Sequence, residues 1–311
     1  MKIVVTGALG HIGSAFIRKV STFFPGSEVV IIDDMSTMRY CSLFNLPTGC
    51  KYTFIEGKVQ KVDLSTIFKG ATVVVHLAAI TDAAGTSDKP ELVHNNNFDS
   101  TKAVAEACMK LEVPMIFPSS TSVYGSQSEL VDEECQELFP QSPYAESKIN
   151  EEKLLLGMFK DGLKGVIFRF GTIFGKSEGM RFHTAVNKFS WQAVMKQPVT
   201  VWETAIDQKR PYLDIADAVE LLGWTIQKQV YDRQLFNAAT VNLTVRQIID
   251  AVKVNVPDLE VVYVKHKIMN QLSYEVSSEK LRNRGFAFKG NHLDSIKESI
   301  RLFNGVNGVK L

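Results

Sequence analysis

Short runs of β-branched and aromatic residues recur through the first half of the chain. They are Ile3-Val4-Val5, Glu28-Val29-Val30-Ile31-Ile32, Tyr52-Thr53-Phe54-Ile55, Thr72-Val73-Val74-Val75, Met115-Ile116-Phe117 and Val166-Ile167-Phe168. Each is almost continuously apolar rather than alternating, which suits strands of a parallel sheet covered on both faces. Between them lie helical stretches, including Asn95 to Leu111 and Tyr144 to Phe159. Strand, helix, strand in repetition predicts a doubly wound α/β sheet with right-handed crossovers.

After Gly175 the pattern changes. Thr184 to Lys196 reads as a helix, Pro198 to Trp202 as a short strand, Tyr212 to Ile215 as another, and Asp217 to Gln227 as a helix. Phe236-Asn237, Val245 to Val254, Leu259 to Val264 and a helix near Leu293 to Phe303 follow. The expected division is residues 1–175 and a smaller mixed α/β domain of residues 176–311, with later segments free to return to the first.

Composition narrows the classes. With 35 basic and 34 acidic residues among 311, the net charge of +1 offers no general attraction for nucleic acid or an acidic membrane surface. The longest apolar runs, such as Ala71 to Ala79, are strand-sized and contain His76, well short of the roughly 20 residues of a spanning helix. Cys41, Cys50, Cys108 and Cys135 stand far apart without a C-x-x-C pair, and the amino terminus shows no signal-peptide pattern. The expectation is a soluble cytoplasmic protein with reduced thiols. The six histidines suggest no metal cluster.

Thr6-Gly7-Ala8-Leu9-Gly10-His11-Ile12-Gly13 follows the first strand and opens a helix. Glycine serves where positive φ or close backbone approach is required, and the helix amino terminus offers N–H groups to a pyrophosphate. Asp33 and Asp34 close the second strand, Asp33 twenty positions beyond Gly13. A carboxylate there can accept hydrogen bonds from an adenosine ribose and would repel a 2′-phosphate. The combination points to a Rossmann-like dinucleotide site with NAD favoured over NADP; tight turns and solvated carboxylates are the plainer alternative.

Tyr144 and Lys148 stand at i and i+4 in Pro143-Tyr144-Ala145-Glu146-Ser147-Lys148, on one helix face. A phenol of ordinary pKa about 10 is a poor base at neutral pH. A neighbouring ammonium and an oxidised nicotinamide would favour the phenolate. It could then take a proton from a substrate hydroxyl while hydride leaves the same carbon for the cofactor. Pro118-Ser119-Ser120-Thr121-Ser122-Val123-Tyr124-Gly125 stands at the carboxyl end of a predicted strand, where open parallel sheets bind ligands. A serine hydroxyl there can donate to the reacting oxygen.

Thr-Gly-x-x-Gly-x-x-Gly, His76-Leu77-Ala78-Ala79, Asn97-x-x-Ser100-Thr101, Ser119-Ser120-x-x-Val123-Tyr124-Gly125 and Tyr144-x-x-x-Lys148 occur in this order. The series resembles the extended short-chain dehydrogenase/reductase family, in its NAD-dependent sugar-nucleotide epimerase and dehydratase branch, over at least residues 1–175. The resemblance implies that Tyr144 is the acid/base, that Lys148 orients it and the nicotinamide ribose, and that Ser120 is the hydroxyl partner. By the same likeness Gly7, Gly10, His11, Ile12, Gly13, Asp33, Asp34, Val59, Leu77, Ala78, Ala79, Asn97, Ser119 and Phe170 belong to the cofactor side. Asp82, Thr121, Thr172, Arg181, His183, Trp202 and Arg210 belong to the substrate side. Homodimers pairing the Asn95–Leu111 and Tyr144–Phe159 helices are common in the family.

Several of these residues admit a second reading. Trp202 holds a nucleotide base or packs in the core; Arg210 pairs with a diphosphate, for which its bidentate fork suits it, or forms a surface ion pair. Asp82 is a substrate base or caps a loop, Arg181 and His183 contact substrate or lie exposed, and His76 is most simply a satisfied core histidine. The run from Phe182 to Phe189 and on to Tyr212-Leu213-Asp214 is similar to UDP-sulfoquinovose synthase-like proteins. Lys58 replaces an aspartate that commonly caps the adenine amino group, leaving the backbone at Val59 for that contact. Thr121-Ser122 stand where 4,6-dehydratases carry Asp-Glu, which argues against dehydration. The resemblance therefore implies an NAD-dependent nucleotide-sugar 4-epimerase working through a transient 4-keto sugar, UDP-hexoses favoured. Another sugar-nucleotide dehydrogenase, reductase or synthase is the alternative, and a non-catalytic dinucleotide sensor a third.

Overall fold

Seven parallel strands form the central sheet of the structure, a computed structural model that describes residues 1–81, 88–265 and 273–306. In spatial order they are Asp232–Ala238, Gly165–Phe170, Met115–Ser120, Val73–His76, Lys2–Thr6, Glu28–Asp33 and Lys51–Glu56. Chain order reverses between Lys2–Thr6 and Val73–His76, which leaves a crevice at the carboxyl ends of these two strands. The six apolar runs of the first half all appear as strands of this sheet. The seventh strand returns from the second half, carried there by the helix Ile215–Lys228.

Alternate residues of each strand serve opposite faces. Ile3, Val5, Val29, Ile31, Val73, Val75, Ile116, Val166 and Phe168 pack with Phe16, Ile17 and Val20 of helix His11–Phe23 and with Leu221, Leu222 and Ile226 of helix Ile215–Lys228. Val4, Val30, Ile32, Val74, Met115, Phe117 and Ile167 pack on the other face against Val104 and Cys108 of helix Pro90–Lys110 and Leu155 and Phe159 of helix Pro143–Lys160. Burial on both faces explains why the strands read as unbroken apolar runs.

Local chemistry sets where the site helices begin. Ser142 accepts the Ala145 N–H at 3.2 Å and Pro143 fills the first helical position, so Tyr144 lies in the first turn. Helix Pro90–Lys110 starts five residues before the apolar periodicity indicates, because Pro90 opens it with Glu91 in the first turn, ahead of the polar run His94 to Asn97.

The remaining chain builds a second layer. Strands Val241–Thr244, Lys209–Asp214 and Thr172–Phe174 form a mixed sheet, and Val261–Val264 pairs in parallel with Val199–Trp202. Helices Ala185–Val194, Val245–Lys253 and His292–Arg301 close a core around Phe174, Tyr212, Ile248 and Ile296. Among the described residues no helix is long and apolar enough to cross a membrane.

Phe168 lies fully buried between Phe170 and Phe236, its ring centroid 6.1 and 6.0 Å from theirs. Phe168→Ala should cost about 3–5 kcal/mol in urea denaturation; a loss below about 1 kcal/mol would mean that the sheet is not packed as described.

Candidate active site

The crevice is made by glycines that allow backbone contact. Gly7 has φ +62°, and a Cβ there would stand 2.5 Å from the Ala78 nitrogen and 2.6 Å from the Leu77 carbonyl carbon. At Gly13 a Cβ would stand 2.6 Å from the Ala8 Cα, so the helix His11–Phe23 could not lie this close to the turn. That helix has no side-chain cap and no acidic residue in its first turn. An uncapped amino terminus behind a glycine turn fits a dinucleotide pyrophosphate.

Asp33 accepts the Leu9 N–H through one oxygen and the Met35 N–H through the other, both at 3.0 Å. A carboxylate has further lone pairs for a ribose. Burial raises the Asp33 pKa, opposed by these backbone donors. Asp34 accepts the Ser36 N–H at 3.0 Å. Asn97 uses both ends of its amide on Ile80, accepting its N–H at 2.8 Å and donating to its carbonyl at 3.0 Å. It therefore shapes the chain that follows His76-Leu77-Ala78-Ala79. Lys58 is exposed and its neighbour Val59 is buried in the core.

At the next strand end, Ser120 Oγ lies 2.9 Å from Ser122 Oγ and accepts the Ser122 N–H at 3.2 Å. The 3-10 turn Thr121–Tyr124 packs against helix Pro143–Lys160, which carries Tyr144 and Lys148. Lys148 is 3% exposed, with Nζ 4.5 Å from the Phe117 ring centre and 5.8 Å from that of Tyr144. Burial works against its charge, but Glu151 and then Tyr144 outweigh it and hold its pKa above the usual lysine value. Ser119 donates to Glu152 at 2.5 Å, and Phe170 packs in the core beside Phe168. Thr121 is buried with its hydroxyl 3.3 Å from the Tyr274 hydroxyl, and neither it nor Ser122 carries a carboxyl group.

Residues 177–181, arriving from the second half, strap the glycine turn. Ser177 Oγ lies 2.6 Å from His11 Nδ1, the Gly179 N–H donates to Ser14 at 2.9 Å, and Glu178 pairs with Arg18 at 3.1 Å. Arg181 donates to Thr81. A Cβ on Gly179 would meet the carbonyls of Leu9 and Gly10. No periodicity or motif in the sequence marks this strap. Arg39, absent from the sequence expectations, stands beside Gly10 and Asp33.

Of the substrate-side residues, Thr172 pairs with Tyr212 at the strand edge and Arg210 is half-buried close to Tyr212 and Tyr274. Trp202 is 46% exposed, which removes the core-packing alternative. His183 is exposed. Asp82 lies outside the described residues.

His11 and His76 are both buried, and each pKa falls to about 3. Burial is the main cause for both, followed by Arg181, Arg39 and His183 for His11 and by Lys148 for His76. An unfolded histidine titrates near about 6.5, so on acidification the unfolded chain binds these protons first. The stability contributed by each neutral ring is full above about pH 6.5 and is lost as pH falls toward the folded values, at about 1.4 kcal/mol per pH unit for each. Urea midpoints should therefore drop between pH 6.5 and 4.5, and His11→Phe should flatten the slope. A midpoint constant over that range would contradict two buried neutral rings.

Comparison with known proteins agrees with this geometry. The model of the NAD dependent epimerase/dehydratase family matches residues 3–239. The uncharacterized UDP-glucose epimerase YtcB of Bacillus subtilis is 31% identical over 233 residues, covering 71% of each chain. A trifunctional UDP-glucose 4,6-dehydratase, 3,5-epimerase and reductase of Arabidopsis thaliana is 23% identical over 321 residues; these cover 97% of this chain but 47% of that protein. The solved UDP-glucuronic acid 4-epimerase of Bacillus cereus, in complex with UDP-glucuronic acid and NAD, superposes with a TM-score of 0.86 at 24% identity, over 97% of this chain and 98% of that one. With its glycine turn, its Tyr144–Lys148 pair and a family match over most of its length, the chain belongs to the NAD dependent epimerase/dehydratase family.

Proposed function

We propose that the protein is an NAD-dependent nucleotide-sugar 4-epimerase acting on UDP-hexoses. The observation that carries this reading is the buried Lys148 ammonium set against the Tyr144 ring, on the helix that packs on the turn following Ser120. NAD, when bound, supplies the reversible oxidation of a sugar carbon. Tyr144 takes the proton of the sugar hydroxyl and returns it after the keto sugar has turned over. Lys148 keeps a positive charge beside the phenol ring and orients it. Ser120 donates a hydrogen bond to the reacting oxygen. Thr121 and Ser122 at the dehydratase positions supply no carboxylate, so loss of water has no second acid and base.

Gly7, Gly10, His11, Ile12 and Gly13 hold the diphosphate of the cofactor, Asp33 and Asp34 the adenosine ribose, and Val59, Leu77, Ala78 and Ala79 the walls around it. On the other side Arg210 meets the substrate diphosphate, exposed Trp202 stacks on the base, and Thr172, Arg181 and His183 face the sugar. Residues 1–175, completed by the strand Asp232–Ala238, form the cofactor unit, and the rest selects the substrate. Four free cysteines suit a cytoplasmic setting. Leu92 and Met109 of helix Pro90–Lys110 and Leu156 of helix Pro143–Lys160 are exposed and form the contact of a homodimer.

Incubation with UDP-, GDP-, dTDP-, CDP- and ADP-sugars followed by chromatography should show a C4 epimer from a UDP-hexose; conversion of none of them would refute the assignment. Tyr144→Phe should keep bound NAD and lose turnover by about 10²–10⁴-fold, whereas full activity would remove Tyr144 from its role. Light scattering should give twice the chain mass, and a strict monomer would exclude the dimer.

A further inference from the structure

Three residues beyond Lys148 the helix carries a second buried charge that the reaction described above does not use. Glu151 is fully buried, and its Oε2 lies 2.7 Å from Lys148 Nζ. From its other oxygen a line of buried polar groups leads to the cofactor crevice. Thr101 donates to Glu151 Oε1 at 3.3 Å, and His76 Nε2 lies 3.2 Å from Thr101 Oγ1. His76 Nδ1 lies 2.7 Å from Thr6 Oγ1, which accepts the Ala78 N–H at 3.3 Å. Thr6, His76 and Thr101 are each at most 1% exposed.

One arrangement of protons satisfies the whole line. A hydroxyl has a single proton, and that of Thr101 goes to Glu151, so Thr101 must accept from Nε2–H of His76. Burial, with Lys148 adding to it, keeps this imidazole neutral. Its Nδ1 is then an acceptor, filled by the Thr6 hydroxyl. Every proton points from Ala78 toward the carboxylate, which is the end that needs donors.

Stability alone does not account for Glu151. A buried ion pair is commonly matched or bettered by apolar side chains of similar volume, and the same helix already buries Ala145, Leu155 and Phe159. The structural tie to the sheet is made one residue later, where Glu152 holds Arg169 through Nε at 3.0 Å and Nη2 at 2.7 Å. A fully buried carboxylate on the ammonium that faces Tyr144 has its effect on that ammonium.

We propose that Glu151 is a positioning residue, which holds the Lys148 ammonium against the Phe117 and Tyr144 rings and offsets its field at the phenol oxygen. The Thr101–His76–Thr6 line fixes the carboxylate relative to the backbone at Ala78. The proposal rests on the assignment of Tyr144 and Lys148 as the acid/base pair. Among the described residues, the charged or titratable groups facing Lys148 are Tyr144, Glu151 and Glu152 of its own helix and His76 of the sheet.

Glu151→Gln keeps the shape and removes the charge. The ammonium's field on the phenol is then no longer offset, so the acidic limb of the pH profile for UDP-hexose epimerisation should move down. Lys148 also loses the partner that retains its proton, so the alkaline limb should move down as well. We expect a displacement of both limbs by about one pH unit, with KM for the sugar nucleotide and bound NAD unchanged, while Glu151→Asp stays near the parent profile. If the amide variant does not fold, Glu151→Met, apolar and of similar volume, gives the same readout. A charge-free variant that folds with the parent profile overturns the proposal and leaves the acid/base assignment intact. Activity in Tyr144→Phe overturns that assignment instead.

Discussion

The site depends on one close approach, that of the turn at Gly7 to the backbone at Leu77 and Ala78. There is no room between them for a single carbon, since a Cβ on Gly7 would stand 2.5 Å from the Ala78 nitrogen. The contact closes the floor of the crevice between the ends of strands Lys2–Thr6 and Val73–His76, where chain order reverses. It also brings Thr6 to His76 and so begins the buried line that ends at Glu151. The residues around the crevice are arranged about that contact.

The sheet was legible in the sequence for a physical reason. Strands buried on both faces need apolar residues at every position, and six such runs stand out. The seventh, Asp232–Ala238, opens with Asp232, Arg233 and Gln234, so only Phe236-Asn237 was visible and nothing tied it to the first sheet. The glycine turn and the Tyr144–Lys148 spacing were legible because their chemistry fixes residue type and spacing along a single element. Trp202 was not, since exposure depends on the pairing of Val199–Trp202 with a strand some sixty residues later. Neither was the strap of residues 177–181, whose contacts with His11, Ser14 and Arg18 join segments more than 150 residues apart. Glu151 offered a faint signal, a carboxylate at i+3 from Lys148 on one helix face.

Local charge, not the near-zero total, organises the interior. Two buried ion pairs involve one helix, Lys148–Glu151 within it and Glu152 with Arg169 of the strand Gly165–Phe170. The second is bidentate, with Arg169 lying over the Tyr124 ring and Ser119 donating to the same carboxylate, so the strand ends beside Ser120 are held rigidly. Around the glycine turn, Arg39 and Arg181 stand near His11, whose ring stays neutral. Positive charge thus gathers where an anionic diphosphate is expected, in a chain of near-zero net charge.

The return of Asp232–Ala238 to the first sheet bears on modularity. Gly165–Phe170, buried at every position, lies between that strand and Met115–Ser120. Severing the chain after residue 175 would strip one side of this strand and leave its N–H and C=O groups open to a foreign strand. The two halves are consequently not interchangeable parts. A transplanted second half would have to bring its own seventh strand in register, so this scaffold is more readily altered side chain by side chain than by exchange of whole units.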